Sequence, residues 1–430
     1  MDLLKNIFKG DKVVWIIFLM LCLISVMEVF SATSSLAYGS GNYLQPITRH
    51  SVYLLLGVGV VVLVHNIRYR WFQAIPFILL PASYALLVLV MAMGFISDQR
   101  VNGAARWYSI FGIEFQPSEF AKMAVIIVTA FILSKKQTED GAHPDAFKYI
   151  MMITLTGCAL IAPENWSTAA LLFCAVYLMM FVGRVAAKKL LMTGLVLGVS
   201  LSLFVSFLYV TPNEVLNKIP LGHRFSTWKE RLADFSSERV APADFDTDEN
   251  GQVGHARIAI ATSNIIGKGP GNSVQRDFLS QAYSDFIYAI VIEELGLVGG
   301  FFVVFLYICL LIRAGRIAQK CNRTFPAFLV LGIALLLVIQ ALFNMMVAVG
   351  LAPVTGQPLP LVSRGGTSII INCAYIGMIL SVSRYTLELE ERRKQETEPL
   401  AVTEKIVLDS EIQGGEDPTS EVLNNDTDMV

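Results

Sequence analysis

The chain has 430 residues, 54% of them hydrophobic and only 16% charged, and its mean hydropathy is +0.58. Soluble domains carry about 25% charged residues, so an ordinary water-soluble globule is excluded. The formal net charge of −2 is a cancellation: residues 385–430 hold thirteen Asp/Glu against four Lys/Arg, a balance of −9, which leaves +7 on residues 1–384.

A bilayer core about 30 Å thick takes about 20 apolar residues per helix. Ten apolar runs suit that role, at 13–30, 52–64, 72–95, 120–133, 149–162, 168–182, 190–210, 286–312, 325–349 and 368–382. They predict an all-α polytopic membrane protein of about ten transmembrane helices. The first run follows Lys5, Lys9 and Lys12 as a signal peptide would, but nothing after it looks secreted, so it reads as a retained helix. Arg68/Arg70, Lys135/Lys136, Arg184/Lys188/Lys189, Arg313/Arg316/Lys320/Arg323 and Arg384/Arg392/Arg393/Lys394 fall on alternate connections. Cytoplasmic loops are enriched in Lys and Arg, so both termini are expected in the cytoplasm. The plan is then a short N-terminus at 1–12, a membrane domain at 13–384 and a tail at 385–430. A large external loop, about 211–284, joins helices 7 and 8; its Pro, Gly and charges argue against one long helix. The tail is polar, acidic and poor in aromatics, and is expected to be disordered. No internal repeat is evident, which weighs against an inverted-repeat transporter. The six cysteines lack CxxC spacing and the five histidines are scattered, so neither a disulfide framework nor a metal site is indicated.

Four outward-facing stretches carry chemistry. Arg106-Trp107 precedes Gln116-Pro117-Ser118-Glu119-Phe120-Ala121-Lys122, where Pro117 suits a first helical position. Glu119 and Lys122 then share one helix face, either as a structural ion pair or with the lysine aimed at an anionic headgroup. Next, Pro163-Glu164-Asn165-Trp166-Ser167-Thr168 forms an outer turn, with Trp166 a natural interface anchor and Glu164 a weaker candidate acid, base or cation ligand. The third stretch, Gly267-Lys268-Gly269-Pro270-Gly271-Asn272-Ser273-Val274-Gln275-Arg276, is Gly-rich with two cations, a pattern that lets backbone N–H groups approach phosphates. It is no Walker A loop, because Gly269 follows Lys268. Asp285 follows at the mouth of a helix, as an N-cap or as a partly desolvated general base. Glu293 and Glu294 lie deeper and suit a structural network. The run from Asp246 to Gly251 opens like an EF-hand, but Arg257 stands where the twelfth-position Glu should be. Last, residues 344–368 contain Gly350, Pro353, Thr355, Gly356, Pro358, Pro360, Ser363, Arg364, Gly365 and Gly366. Such backbone is non-helical at membrane depth, tolerated only where it is packed by protein or lines a cavity, and a re-entrant cavity wall is expected.

Together these motifs resemble the SEDS family of peptidoglycan glycosyltransferases, typified by FtsW and RodA, over nearly all of residues 10–385. The most specific pieces are 116–122, 267–275 with 285–296, and 350–368. The run from Gly271 to Gln275 looks more like the division branch than the elongation branch. The resemblance implies an inverting transfer at the outer face of the bacterial inner membrane. Lipid II and a lipid-linked glycan form a β-1,4 bond, and undecaprenyl diphosphate leaves. It implies Asp285 as the catalytic base. Arg106, Glu119, Lys122, Lys268, Asn272, Ser273, Gln275, Arg276, Thr355 and Ser363 follow as substrate-binding candidates, with Arg224 and Arg231 as weaker cations. A class B penicillin-binding protein (an FtsI-like transpeptidase) and other division proteins are the implied partners, at the septum; no nucleic acid is involved. No cofactor is required by the pattern, though a divalent Mg or Mn ion would suit the diphosphate.

Three departures stand out. Asn165 and Ser167 occupy the Asp and Gly positions of the family's Gln-Pro-Asp-x-Gly-Thr turn. Tyr283-Ser284 replaces a usual His-Thr, and Arg364 replaces an aromatic. A lipid flippase is the rival class, and a scaffold for a partner synthase is a third; the clustering of charge on one side favours surface chemistry over a path through both leaflets.

Overall fold

In hydrocarbon every backbone polar group must be satisfied within the chain, and a helix does this locally. The computed structural model describes residues 9–40, 45–96, 108–110, 113–216, 222–236, 247–279 and 282–413. All ten predicted runs are helices: α1 (Lys12–Ser40), α2 (Gln45–Asn66), α3 (Ile75–Ile96), α4 (Pro117–Lys135), α5 (Pro144–Ile161), α6 (Trp166–Val182) and α7 (Ala187–Val210) come first. After the short α8 (Asn213–Leu216), α9 (Gly222–Ser236) and α10 (Thr247–Ala261) come α11 (Ile287–Gln319), α12 (Thr324–Ala348) and α13 (Gly366–Gln413). Nine are long and apolar enough to cross a bilayer, and α6 is apolar with 17 residues.

Burial sorts these helices. Of the most apolar window, 72% is buried in both α4 and α12 and 83% in α13, against 6% in α7. The first three therefore form the core, and α7 turns Leu191, Leu195 and Leu203 outward to lipid. Helix α13 lies along α2, and glycines permit the approach: a Cβ on Gly57 would stand 2.6 Å from the Cys373 sulfur.

The bundle has two chemically different ends. At one, Arg313 on α11 pairs with Asp11 before α1 at 2.6 Å, and Ser381 on α13 donates to the Ile67 carbonyl at 2.5 Å. The basic connections gather at this end. At the other lie the starts of α4, α6, α11 and α13. The long connection after α7 holds α8, α9 and α10 and a short 3-10 turn (Gln275–Asp277), not one long helix.

Beyond Tyr385 the structure differs from the disordered tail expected there: α13 continues to Gln413. Through Lys394 the reason is visible. Leu, Glu, Arg and Lys are strong helix formers. Glu390 pairs with Lys320 at 2.8 Å, and Arg393 donates to Asn322 at 2.7 Å. Residues 414–430 lie outside the described residues.

Candidate active site

Residues 282–286 form a turn that delivers the chain into α11. Phe286, not Asp285, occupies the N-cap position of α11. That carboxylate is half-buried and accepts a bond from the Ser284 hydroxyl at 3.0 Å. Its backbone is fixed from two directions. Asn344 Nδ2 on α12 donates to the Asp285 carbonyl at 2.8 Å. From the segment before α13, Ser363 Oγ donates to the Ser284 carbonyl at 2.6 Å, and Arg364 N–H to the Tyr283 carbonyl at 2.9 Å. The Arg364 guanidinium lies over the Tyr283 ring, 5.1 Å from its centre.

The Pro/Gly segment is buried at Gln357 and from Leu359 to Ser363, while Leu351 is exposed and 352–356 are half-buried. Positive φ at Gly350 (74°) and Gly356 (66°) folds it into non-helical turns whose carbonyls need partners. Arg231 on α9 donates to Val354 O at 3.2 Å, Ser167 to Thr355 O at 2.8 Å, Asn344 to Gln357 O at 2.8 Å and Gln340 to Pro358 O at 3.0 Å. Tyr307 donates to Pro360 O, and Ser25 to Val362 O at 2.8 Å. Gln357 in turn donates to Thr168 Oγ1 at 2.7 Å. Asn165 caps α6, accepting from Thr168 N–H at 3.1 Å and from Ser167 at 2.7 Å. An Asp at that position would cap in the same way, so the family's Asp-to-Asn departure keeps the cap. Trp166 is 43% exposed and stacks on Phe204 of α7, as an interface anchor does.

The Gly-rich run is an anion cradle, and its anion is internal. Gly271 N–H and Ser273 N–H donate to the Glu294 carboxylate at 2.8 and 3.1 Å, and Ser31 Oγ donates to it as well. Val274 N–H and Gln275 N–H donate to Glu293 at 3.1 and 3.3 Å, with Ser273 Oγ at 2.5 Å and Lys268 Nζ at 2.6 Å. Both carboxylates are fully buried. A kink in α11 at Gly296 (φ 74°) makes room: its ideal Cβ would stand 2.2 Å from Ile265 O, so only glycine fits against the turn at 264–269. Arg276 folds back onto Gly271 O at 2.7 Å and Ser31 at 2.8 Å. Gln275 Oε1 pairs with His255 at 2.8 Å, while Asn272 is exposed and donates to Lys268 O at 3.1 Å.

The remaining cations are placed as follows. Lys122 is fully buried, 2.8 Å from Glu119 and 3.0 Å from Gln340 Oε1, which is the structural ion pair of the two readings. Arg106 lies outside the described residues, as does the side chain of Arg224. Further polar residues hold this end together. Gln340 and Asn344 sit one turn apart in an apolar helix, a spacing that signals a shared polar face. Arg364, in the outward-facing 344–368 stretch, stands where the family has an aromatic, and Arg257 stands at the EF-hand's twelfth position. The Arg257 guanidinium is exposed and lies 3.1 Å from where a Gly350 Cβ would stand. Among the described residues neither Arg257 nor Arg364 meets a carboxylate. No three His, Cys, Asp or Glu side chains converge among the described residues, so they form no closed ligand set for a divalent cation.

The model of the FtsW/RodA/SpoVE family, described as cell cycle protein, matches residues 11–388. The chain is 32% identical over 390 residues to the probable peptidoglycan glycosyltransferase FtsW of Halomonas elongata, covering 89% of this chain and 92% of that protein. Its fold matches a chain from a peptidoglycan synthase complex that coordinates polymerization and crosslinking. There the TM-score is 0.66 at 24% identity, over 88% of this chain and 99% of that one. Thermus thermophilus RodA, a rod shape determining protein, matches with a TM-score of 0.60 at 22% identity, over 88% of this chain and 98% of its own.

Proposed function

The chain belongs to the FtsW/RodA/SpoVE family of cell cycle proteins, and on that premise we propose that it is a membrane-embedded peptidoglycan glycosyltransferase of the FtsW type. It polymerises lipid II into β-1,4 glycan at the outer face of the bacterial inner membrane, for septal wall synthesis. The Asp285 end of the bundle faces outward. The gathering of Lys and Arg connections at the opposite end supports that orientation.

The step is a single displacement. The acceptor 4-hydroxyl oxygen attacks the donor anomeric carbon, the bond from that carbon to the diphosphate oxygen breaks, and undecaprenyl diphosphate leaves. Inversion needs no covalent intermediate. Asp285 takes the hydroxyl proton as general base. The observation that carries this role is its setting: the turn is held through backbone bonds from two elements at the mouth of α11, and the half-buried carboxylate accepts from the Ser284 hydroxyl. Positive charge must stand where the diphosphate charge develops. Lys122, Lys268 and Arg276 bond within the protein, which favours Arg364, beside the Asp285 turn, and Arg257 for that work.

A class B penicillin-binding protein is the crosslinking partner; the likeness to a chain of a synthase complex supports that pairing. The test is the full chain in nanodiscs with lipid II, alone and with its cognate transpeptidase. Glycan polymer is expected. Transbilayer movement of lipid II without polymer would instead identify a flippase.

A further inference from the structure

At the basic end, opposite Asp285, a 3-10 turn (Tyr69–Gln73) lies against α13. Tyr69 and Phe72 are buried, so the intervening Arg70 and Trp71 point out, and Trp71 is 68% exposed. Ser381 clamps the connection through the Ile67 carbonyl at 2.5 Å. The turn and α13 enclose a cavity of about 370 Å³ whose wall holds Arg68, Arg70, Arg384 and Arg392 with one carboxylate, Glu388. Arg384 is already engaged, 3.5 Å from Glu388 and 3.4 Å from Asn66 Oδ1. Arg68, Arg70 and Arg392 are exposed and meet no carboxylate among the described residues. Basic residues are expected at this end of a membrane protein. Four guanidiniums around a small cavity with a single carboxylate are more than topology needs, and Arg68, Arg70 and Arg392 leave net positive charge there that a further anion would offset.

A second hollow, about 540 Å³, shares Arg68 and Arg70 with the first and is otherwise lined by Trp71, Gln73, Ala74, Phe77 and Phe131. Phe77 is 67% exposed and meets Phe131 edge-on at 5.6 Å. A cationic cleft and an aromatic groove thus meet at the same two arginines, which is the shape of an anionic amphiphile. We propose that the two hollows form one site for an anionic phospholipid. Its phosphate is held in charge-assisted bonds by Arg68 and Arg70 with Arg392, and an acyl chain lies against Trp71, Phe77 and Phe131. The site is across the membrane from the catalytic turn and independent of the reaction assigned there.

The test is retention of phosphatidylglycerol by the purified full chain, measured by native mass spectrometry against a titration of the lipid, with phosphatidylcholine and inorganic phosphate as separate arms. Phosphatidylglycerol is expected to bind in preference to phosphatidylcholine. Arg68→Gln/Arg70→Gln should weaken it about 30-fold, from the usual contribution of two basic residues at a membrane surface. Phe77→Ala should weaken the lipid and leave inorganic phosphate unaffected. Lys188→Gln/Arg316→Gln removes two exposed charges at the same end but outside the cleft, and should change nothing. An equal loss in that control would reduce the effect to diffuse surface charge and overturn the site. Inorganic phosphate binding as tightly as the lipid, with no effect of Phe77→Ala, would show a free-phosphate site and overturn the lipid.

Discussion

Ser363→Ala separates two roles for one hydroxyl. The oxygen donates to Ser284 O at 2.6 Å and accepts from Leu359 N–H at 2.7 Å, and Ser363 is 2% exposed. Alanine strands both groups where water does not reach. Each stranded buried group costs about 1–3 kcal/mol, and taking the lower half of that range for two groups gives about 2–4 kcal/mol. If all of it is expressed in the reacting geometry of the neighbouring Asp285, kcat falls by about 30-fold to about 1,000-fold. The assay is the initial rate of glycan formation against lipid II concentration. A fall in kcat at nearly constant KM is expected, because both bonds of the hydroxyl go to the protein's own backbone. An unchanged kcat with a KM raised tenfold or more would refute this reasoning and make Ser363 a substrate contact.

Lys122→Met leaves the Glu119 carboxylate buried without its partner and should cost about 3–5 kcal/mol in unfolding measurements, most of it recovered in Glu119→Gln/Lys122→Met. A lysine that acts on substrate would show no such recovery of activity. Gly296→Ala drives a Cβ into the Ile265 carbonyl at a φ of 74°, so little monodisperse protein should survive size-exclusion chromatography. Asn165→Ala should lower stability by about 1 kcal/mol while Asn165→Asp stays within a few tenths, because only the first removes the α6 cap.

The ten spans were legible because hydropathy and loop charge are read along the chain, one residue after another. The anion cradle at Gly271–Gln275 was legible too, as glycines beside cations. Its occupant was not: Glu293 and Glu294 meet it where residues 264–269 pack against α11 at the Gly296 kink, and no local pattern announces that kink. The spacing of Glu119 and Lys122 announced their pairing. Its burial depends on Gln340, more than two hundred residues away. The pinning of Asp285 is likewise long-range, through Asn344 and Ser363. Arg364 stood out in sequence only as a residue where the family has an aromatic, and its place over Tyr283 gives it meaning. The helical extension past Tyr385 rested on a balance between acidic composition and strong helix formers, which contacts to Lys320 and Asn322 tip.

If the Asp285 carboxylate takes the acceptor proton, polymerisation of lipid II is lost in Asp285→Asn. Asparagine keeps the size and the backbone bonds to Asn344 and through Ser284, so the variant should remain folded and retain lipid II. It is expected to make no glycan. Polymer at the wild-type rate from a folded Asp285→Asn protein would remove Asp285 as the base.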